Sequence, residues 1–345
     1  MSPTPTASAP AFTLVDSTLR DGSHAVAHQF DTAQVAAVVR ALDSAGVPVI
    51  EVSHGDGLGG SSFNYGFSKV DELELLRTAV ANANQARIAV LLLPGIGVAR
   101  DLYEVREIGA SVARIAAQCT EADITEQHIG LAKELGMTAV GFLMMAHMLE
   151  PAELLEQARR MESYGADVVY VTDSAGALTI DAVRARVSAL TNGLSCAVGI
   201  HAHNNLQLAV ANSLAAYEEG ATYIDACARG LGAGAGNTAI EVLVATCDKL
   251  GIPTGVETLP IMAAAEEVVA PIMHRPQIVD RASLLLGYAG IYSSFLLHAE
   301  RAAERFKVDL PSLLLELGRR KIVGGQEDMI VDVAAELRDR AEEDV

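Results

Sequence analysis

Tryptophan is absent from this 345-residue chain, and other aromatics are few, with 8 Tyr and 7 Phe. The core must therefore rest on Ala, Val, Leu and Ile. Small and branched side chains of that kind suit helices packed around a buried parallel sheet. Cationic residues are also scarce: 25 Lys and Arg stand against 44 Asp and Glu, a net charge of −19. A surface of that sign repels phosphate backbones and anionic lipid, which argues against nucleic-acid and membrane partners and leaves a small-molecule substrate. Only four cysteines occur (Cys119, Cys196, Cys227 and Cys247), with no CxxC pair. They read as thiols of a reducing compartment, neither a disulfide framework nor a zinc knuckle. Residues 1–11, MSPTPTASAPA, lack the basic start and long apolar run of a signal peptide and read as a disordered tail. No apolar stretch has the length and flanks of a membrane span. A cytoplasmic protein is the expectation.

What the chain does have is rhythm. Short β-rich runs fall at 12–17, 47–53, 87–93, 111–117, 137–143, 167–172, 197–203 and 222–227, with longer amphipathic stretches between them. One of these, TAQVAAVVRALDSAG, repeats apolar residues at helical spacing and ends on glycine. Eight strand–helix units over about 250 residues match a (β/α)₈ TIM barrel. A doubly wound open sheet is the rival, weakened by the count of eight and by where the polar residues fall. After residue 255 the strand rhythm stops. The expected organisation is a catalytic barrel over 12–255 and a helical C-terminal region over 256–345, used for association or partner docking.

Active sites of such barrels form at the carboxyl ends of the strands. Three polar clusters fall there: STLRDGSH (17–24), HAHNN (201–205) and GLGAGAGN (230–237). Residues two apart on a strand share a face, so His201 and His203 can reach one ion together. With Asp21 from the first strand they form a two-histidine, one-carboxylate set that leaves positions open for substrate. Mixed N/O ligation of this kind suits Mn2+, Mg2+, Co2+ or Zn2+. Arg20 either orients Asp21 through a salt bridge or faces an oxyanion developing on the substrate, and both can hold. His24 is a natural general base near such an ion, whereas His28 reads as structural. The glycine-rich cluster is a poor dinucleotide fingerprint, because it follows the last strand and lacks an acidic ribose partner. A tight turn approaching the site explains it better, and phosphate binding stays open.

From residue 12 onward, DSTLRDGSHAVAHQF, EVSHGDGLGGSSFNYGF, YVTDSAGAL, GIHAHNNLQLAVANS, ARGLGAGAGN and LLLGYAGIYSSFL resemble the metal-dependent class II pyruvate aldolases. Claisen-type synthases such as isopropylmalate synthase, in the same superfamily, carry RDGxQ and HxHND where this chain has His24 and Asn205. A condensing acyl-CoA synthase is thus the alternative. The resemblance implies Asp21, His201 and His203 as metal ligands, with Mn2+ the first expectation. It implies Arg20 and His24 as catalytic residues, and Arg20, Ser174, His201 and Tyr292 as substrate contacts. Tyr288 remains an alternative to Tyr292. The implied reaction cleaves 4-hydroxy-2-oxovalerate or 4-hydroxy-2-oxohexanoate to pyruvate and acetaldehyde or propionaldehyde, in aromatic or steroid ring catabolism, with no Schiff-base lysine. The implied partner is an acylating aldehyde dehydrogenase, two of each chain, docked on the C-terminal helices. One departure is Thr172, where the family pattern leads one to expect valine.

Overall fold

In a computed structural model that describes residues 9–343, the strands are β1 (Thr13–Leu19), β2 (Val49–Val52), β3 (Arg87–Leu92), β4 (Val112–Gln118), β5 (Thr138–Met144), β6 (Val168–Asp173), β7 (Ala197–Ala202) and β8 (Tyr223–Ala226). They pair in parallel in sequence order, and β1 closes the ring against β8, which makes the expected (β/α)₈ barrel. Among the described residues no helix is long and apolar enough to cross a membrane.

The helices form for local reasons and are held by one apolar face. Thr32–Ser44 starts at Asp31, whose carboxylate accepts from the Gln34 N–H while the Gln34 side chain accepts from the Asp31 N–H. That reciprocal cap satisfies two otherwise orphaned donors. The same helix buries Val35, Val38, Val39 and Leu42, a spacing that keeps one face against the barrel.

Strand alternation sorts the rest. Leu14, Ile50, Ile88, Val90, Ala113 and Ile115 face the helices in the large outer cluster. Val15, Val49, Ala89, Leu91, Val112, Phe142 and Tyr170 fill the barrel interior. Two residues further along four of the inward rows come Ser17, Glu51, Arg114 and, beyond Tyr223 on β8, Asp225, all buried. The interior is therefore apolar at its amino end and charged at its carboxyl end.

The helix Thr258–Ala263 and the π-helical turn Ala264–Val269 follow the point where the strand rhythm stops. They nonetheless pack into the barrel's outer cluster through Ile261, Ala264, Ala265 and Val269. A second cluster unites the helices Arg281–Ala289, Leu296–Phe306, Leu310–Arg319 and Asp328–Glu343 around Leu286, Phe295, Leu313, Leu317 and Val333. This unit sits on the barrel mouth. The Ser293 backbone N–H and hydroxyl both donate to the Ser174 carbonyl, at 3.1 and 2.7 Å. Asn205 Nδ2 donates to Ser293 Oγ at 2.8 Å. Residues 1–8 of the expected tail lie outside the described residues, and Ala11 donates its N–H to the Pro253 carbonyl at 2.7 Å.

One glycine is needed for room. On β7, a Cβ at Gly199 would stand 2.5–2.7 Å from carbons of the Tyr170 ring. That ring stacks on Phe142 at 4.6 Å, and the Arg114 guanidinium lies 4.3 Å over Phe142 and 5.0 Å over Tyr170. Gly199→Ala should therefore destabilise the fold by about 1–3 kcal/mol, as overpacking does. Chemical denaturation checks this, and an unchanged midpoint would show that Tyr170 can move aside freely.

Candidate metal centre and active-site cavity

β1 runs out directly into Arg20 and Asp21, both buried. Asp21 divides the work of its two oxygens. Oδ1 accepts from Asn237 Nδ2 at 2.9 Å and from the Ala233 N–H at 3.2 Å. Oδ2 accepts from Arg20 Nη1 at 2.7 Å and faces two imidazoles, with His201 Nε2 at 3.6 Å and His203 Nε2 at 3.7 Å. Those last two separations exceed a good hydrogen bond. They are near the roughly 3–4 Å between two donors that each lie about 2.1 Å from one ion. Asp21, His201 and His203 form a group that could hold a metal ion, with their donor atoms all within 4.8 Å of one another.

Asp21 and His203 hold protonation states that suit ligation, whereas at His201 burial is outweighed by hydrogen bonding to Asp21 and Asp225, which raises its pKa. Burial would raise the Asp21 pKa, but Arg20, His203 and His201 more than offset this and hold the carboxyl well below its usual range. Burial pushes His203 down to about 4, which leaves a neutral ring with a free lone pair. His201 Nδ1 lies 2.8 Å from Asp225 Oδ2. Donation of Nδ1–H to that carboxylate leaves Nε2 as the bare nitrogen toward Asp21, the usual support for a ligating histidine.

Behind these groups lies a ring of alternating charge. Arg20 Nε donates to Glu51 Oε2 at 2.8 Å, and Arg114 Nη1 approaches the same oxygen at 2.6 Å. Arg114 Nη2 pairs with Asp225, and Asp225 returns through His201 to Asp21 and Arg20. Ser17 Oγ donates to Glu51 at 2.8 Å. Three carboxylates face two guanidiniums in this ring, so a proton on His201 or a cation balances it. A divalent cation at the three donors fits the chemistry of the set.

Arg20, Asp21, Ser174, His201, His203 and Tyr292 line one small cavity of about 20 Å³. His24 does not line it. It lines the adjoining cavity of about 470 Å³ with His28, Tyr65, His298 and Arg301, and Asp56 borders both. His24 Nε2 lies 2.6 Å from where a Cβ on Gly55 would be, so its ring covers bare backbone that also walls the small cavity. His24 thus stands at the seam between the two spaces.

The remaining sequence-level alternatives separate cleanly. Tyr292 lines the small cavity, whereas Tyr288 is 76% exposed. His28 lies 3.0 Å from Ser23 Oγ through Nδ1 and stacks on His54 at 3.7 Å, which ties the loop after β1 to the loop after β2. The glycine-rich loop closes on the site. A Cβ at Gly232 would meet Asn237 Nδ2 at 2.2 Å and Asp21 Oδ1 at 2.7 Å. The Ala233 and Ala235 N–H groups are spent on Asp21 and Asn205, so neither is left to donate to a phosphate.

Sequence reasoning missed Glu51, Arg114, Asp225 and Asn237. The first three carried a signal, since each is a lone charge inside an apolar strand run. Asn237 ends the glycine-rich cluster and had no such mark.

Comparison with known proteins agrees with this geometry. The HMGL-like family model matches residues 11–268, and the DmpG-like communication domain matches residues 277–339. The chain is 61% identical to the 4-hydroxy-2-oxovalerate aldolase of Carboxydothermus hydrogenoformans over 324 residues, which is 94% of this chain and 96% of that protein. It is also 61% identical to the enzyme of that name from Geobacillus stearothermophilus, covering 94% of this chain and 95% of that one. Among solved structures, the carboxyl transferase domain of Rhizobium etli pyruvate carboxylase with pyruvate aligns with TM-score 0.82 at 15% identity, over 97% of this chain and 62% of that one. At that identity the likeness is one of fold.

Proposed function

Since the chain belongs to the 4-hydroxy-2-oxovalerate aldolase family of carbon–carbon lyases, we propose that it cleaves a 4-hydroxy-2-oxo acid to pyruvate and a short aldehyde with a divalent ion held by Asp21, His201 and His203. 4-Hydroxy-2-oxovalerate, giving acetaldehyde, is the substrate its relatives' name points to, and 4-hydroxy-2-oxohexanoate, giving propionaldehyde, is the longer candidate. Either places the reaction late in the breakdown of aromatic or steroid rings. The observation that carries the reading is the convergence of Asp21 Oδ2 and the two Nε2 atoms beside Arg20. When bound, the ion, Mn2+ by first expectation, supplies Lewis-acid polarisation of the substrate's 2-oxo group.

The chain's own residues do the rest. His24 at the seam takes the proton from the 4-hydroxyl, the C3–C4 bond breaks, and the aldehyde leaves toward the larger cavity. The bonding pair becomes the enolate of pyruvate, and C3 then gains the proton that His24 took from the 4-hydroxyl, which restores the base. Arg20, fixed by Glu51 and Asp21, holds the negative charge that develops on the enolate oxygen. Ser174 Oγ accepts the Met145 N–H at 3.0 Å, so its own proton is free for the substrate carboxylate. Tyr292 walls the pocket from the C-terminal side. No observation favours the acyl-CoA condensing alternative.

Dialysis against chelator should abolish pyruvate release from 4-hydroxy-2-oxovalerate, and added Mn2+ should restore it in the parent protein but not in Asp21→Ala. Full turnover in metal-free protein would sink the assignment. For His24→Ala, turnover should fall by about two to four orders of magnitude with metal content unchanged, as for loss of a general base. A loss confined to KM would make it a binding residue instead.

We also propose that the communication-domain segment docks an acylating aldehyde dehydrogenase, two of each chain, which takes up the aldehyde before it escapes. Leu284, Tyr288, Leu297 and Leu315 support this, being large apolar residues exposed on three helices of that segment. Co-expressed chains should co-elute, and acyl-CoA should form despite an aldehyde trap. Separate elution with complete trapping of the aldehyde would refute it.

A further inference from the structure

We propose that Thr172, near the end of β6, is a second hydroxyl donor to the substrate carboxylate, working beside Ser174 in the turn that follows the strand. The inference rests on the reaction proposed above and adds a residue to its binding site.

Thr172 is placed by strand alternation. On β6, Val169 and Val171 face the helices, whereas Val168 and Tyr170 face the barrel interior. Thr172 follows on the inner face, and its register partner on β7 is His201. It is 3% exposed and lines the small cavity with Arg20, Asp21, Ser174 and the two histidines. Its Oγ1 is buried and has no hydrogen-bond partner among the described residues. A buried hydroxyl without a partner is costly, and valine would fill this space without that cost. On the β3–β5 side of the cavity Leu91, Ala116, Phe142 and Met144 offer no strong side-chain acceptor, and none of the polar residues that also line it makes a hydrogen bond with Oγ1. A partner for the hydroxyl must therefore arrive with whatever enters the cavity.

The geometry identifies the entering group. Ser174 lies two residues further along, lines the same cavity, and accepts from Met145 while keeping its own proton. Positions two apart on an extended chain are separated by at most roughly 7 Å, and Ser174 lies in the turn just past β6. The two oxygens of one carboxylate, each about 2.7 Å from its donor, span that gap. Two uncommitted O–H groups beside Arg20 make a site for an anion with paired oxygens, and the carboxylate of a 2-oxo acid is such a group. The aldehyde half offers no equivalent pair.

Two variants of the Mn2+-loaded protein test this, with pyruvate both as the measured product and as the inhibitor. Thr172→Val removes the hydroxyl at nearly constant volume, and Thr172→Ser keeps it. Thr172→Val should raise KM and the pyruvate inhibition constant by about tenfold, the loss expected for a hydrogen bond to a charged group. Metal content, melting temperature and kcat within about threefold should be retained, and Thr172→Ser should stay near the parent in every readout. Unchanged constants in Thr172→Val would overturn the proposal. So would a deficit that accompanies lost metal, or one that Thr172→Ser shares. The parent protein separates the two levels of inference: absence of pyruvate release from it defeats the proposed reaction itself, whereas normal release with an unaffected Thr172→Val defeats only the role of Thr172.

Discussion

Everything at the mouth of this barrel depends on the buried ring that runs Arg20–Glu51–Arg114–Asp225–His201–Asp21. Its members come from β1 or its end, β2, β4, β7 and β8, so the ring can exist only once the barrel has closed. Removing charges from water is expensive, and a buried pair repays that cost only with good geometry and further hydrogen bonds. Here the geometry is dense. Glu51 Oε2 gathers Arg20, Arg114 and Ser17, while Arg114 also rests over the stacked rings of Phe142 and Tyr170. Loss of one partner from such a pair typically costs about 3–5 kcal/mol, because the other charge is left buried and unpaired.

The division of the interior into an apolar lower half and a charged upper half has a functional meaning. Apolar layers set the strand spacing and lock Tyr170 against Gly199. The charged layer then receives fixed positions, so Arg20 needs no search to present its guanidinium. Groups held in this way lose little reorganisation energy when charge develops on a substrate. Asp21 is held from a different direction, by the loop after β8, whose glycines let backbone and Asn237 come within hydrogen-bonding range of Oδ1. The C-terminal helices complete the enclosure through Ser293 and Tyr292. One cavity therefore draws on the barrel, its last loop and the communication-domain segment together.

His24 is set apart by construction. Its ring covers the backbone of Gly55 at the edge of the larger cavity, outside the pocket that holds the three candidate ligands. In the reaction proposed above, the far end of the substrate meets His24 while the keto-acid head lies inward. The same proposal has the departing aldehyde face the cavity bordered by Tyr65, His298 and Arg301.

Much of this could be read along the chain. The eight strands lie within a few residues of the apolar runs that announce them, because period-two alternation and helical spacing are local properties. Asp21, His201 and His203 were legible for the same reason: each stands at or just past a strand end, where a barrel builds its site, and two of them share one face. Glu51, Arg114 and Asp225 were visible only as odd charges in apolar runs. Whether they pointed inward, and which charge met which, depended on barrel closure, which sets strands far apart in sequence side by side. The choice of Tyr292 over Tyr288 rested on how the C-terminal helices dock, and the placing of His24 outside the small cavity rested on the loop after β2. The unpartnered hydroxyl of Thr172 belongs with these, since a lack of partners is a property of everything packed around a residue. Local periodicity thus determined the elements and the grouping of Asp21, His201 and His203 at the strand ends from sequence alone. The pairing of buried charges, the partition of the cavity and the unmet hydrogen bond were decided by tertiary structure, because each is set by distances between segments that the chain brings together only when it folds.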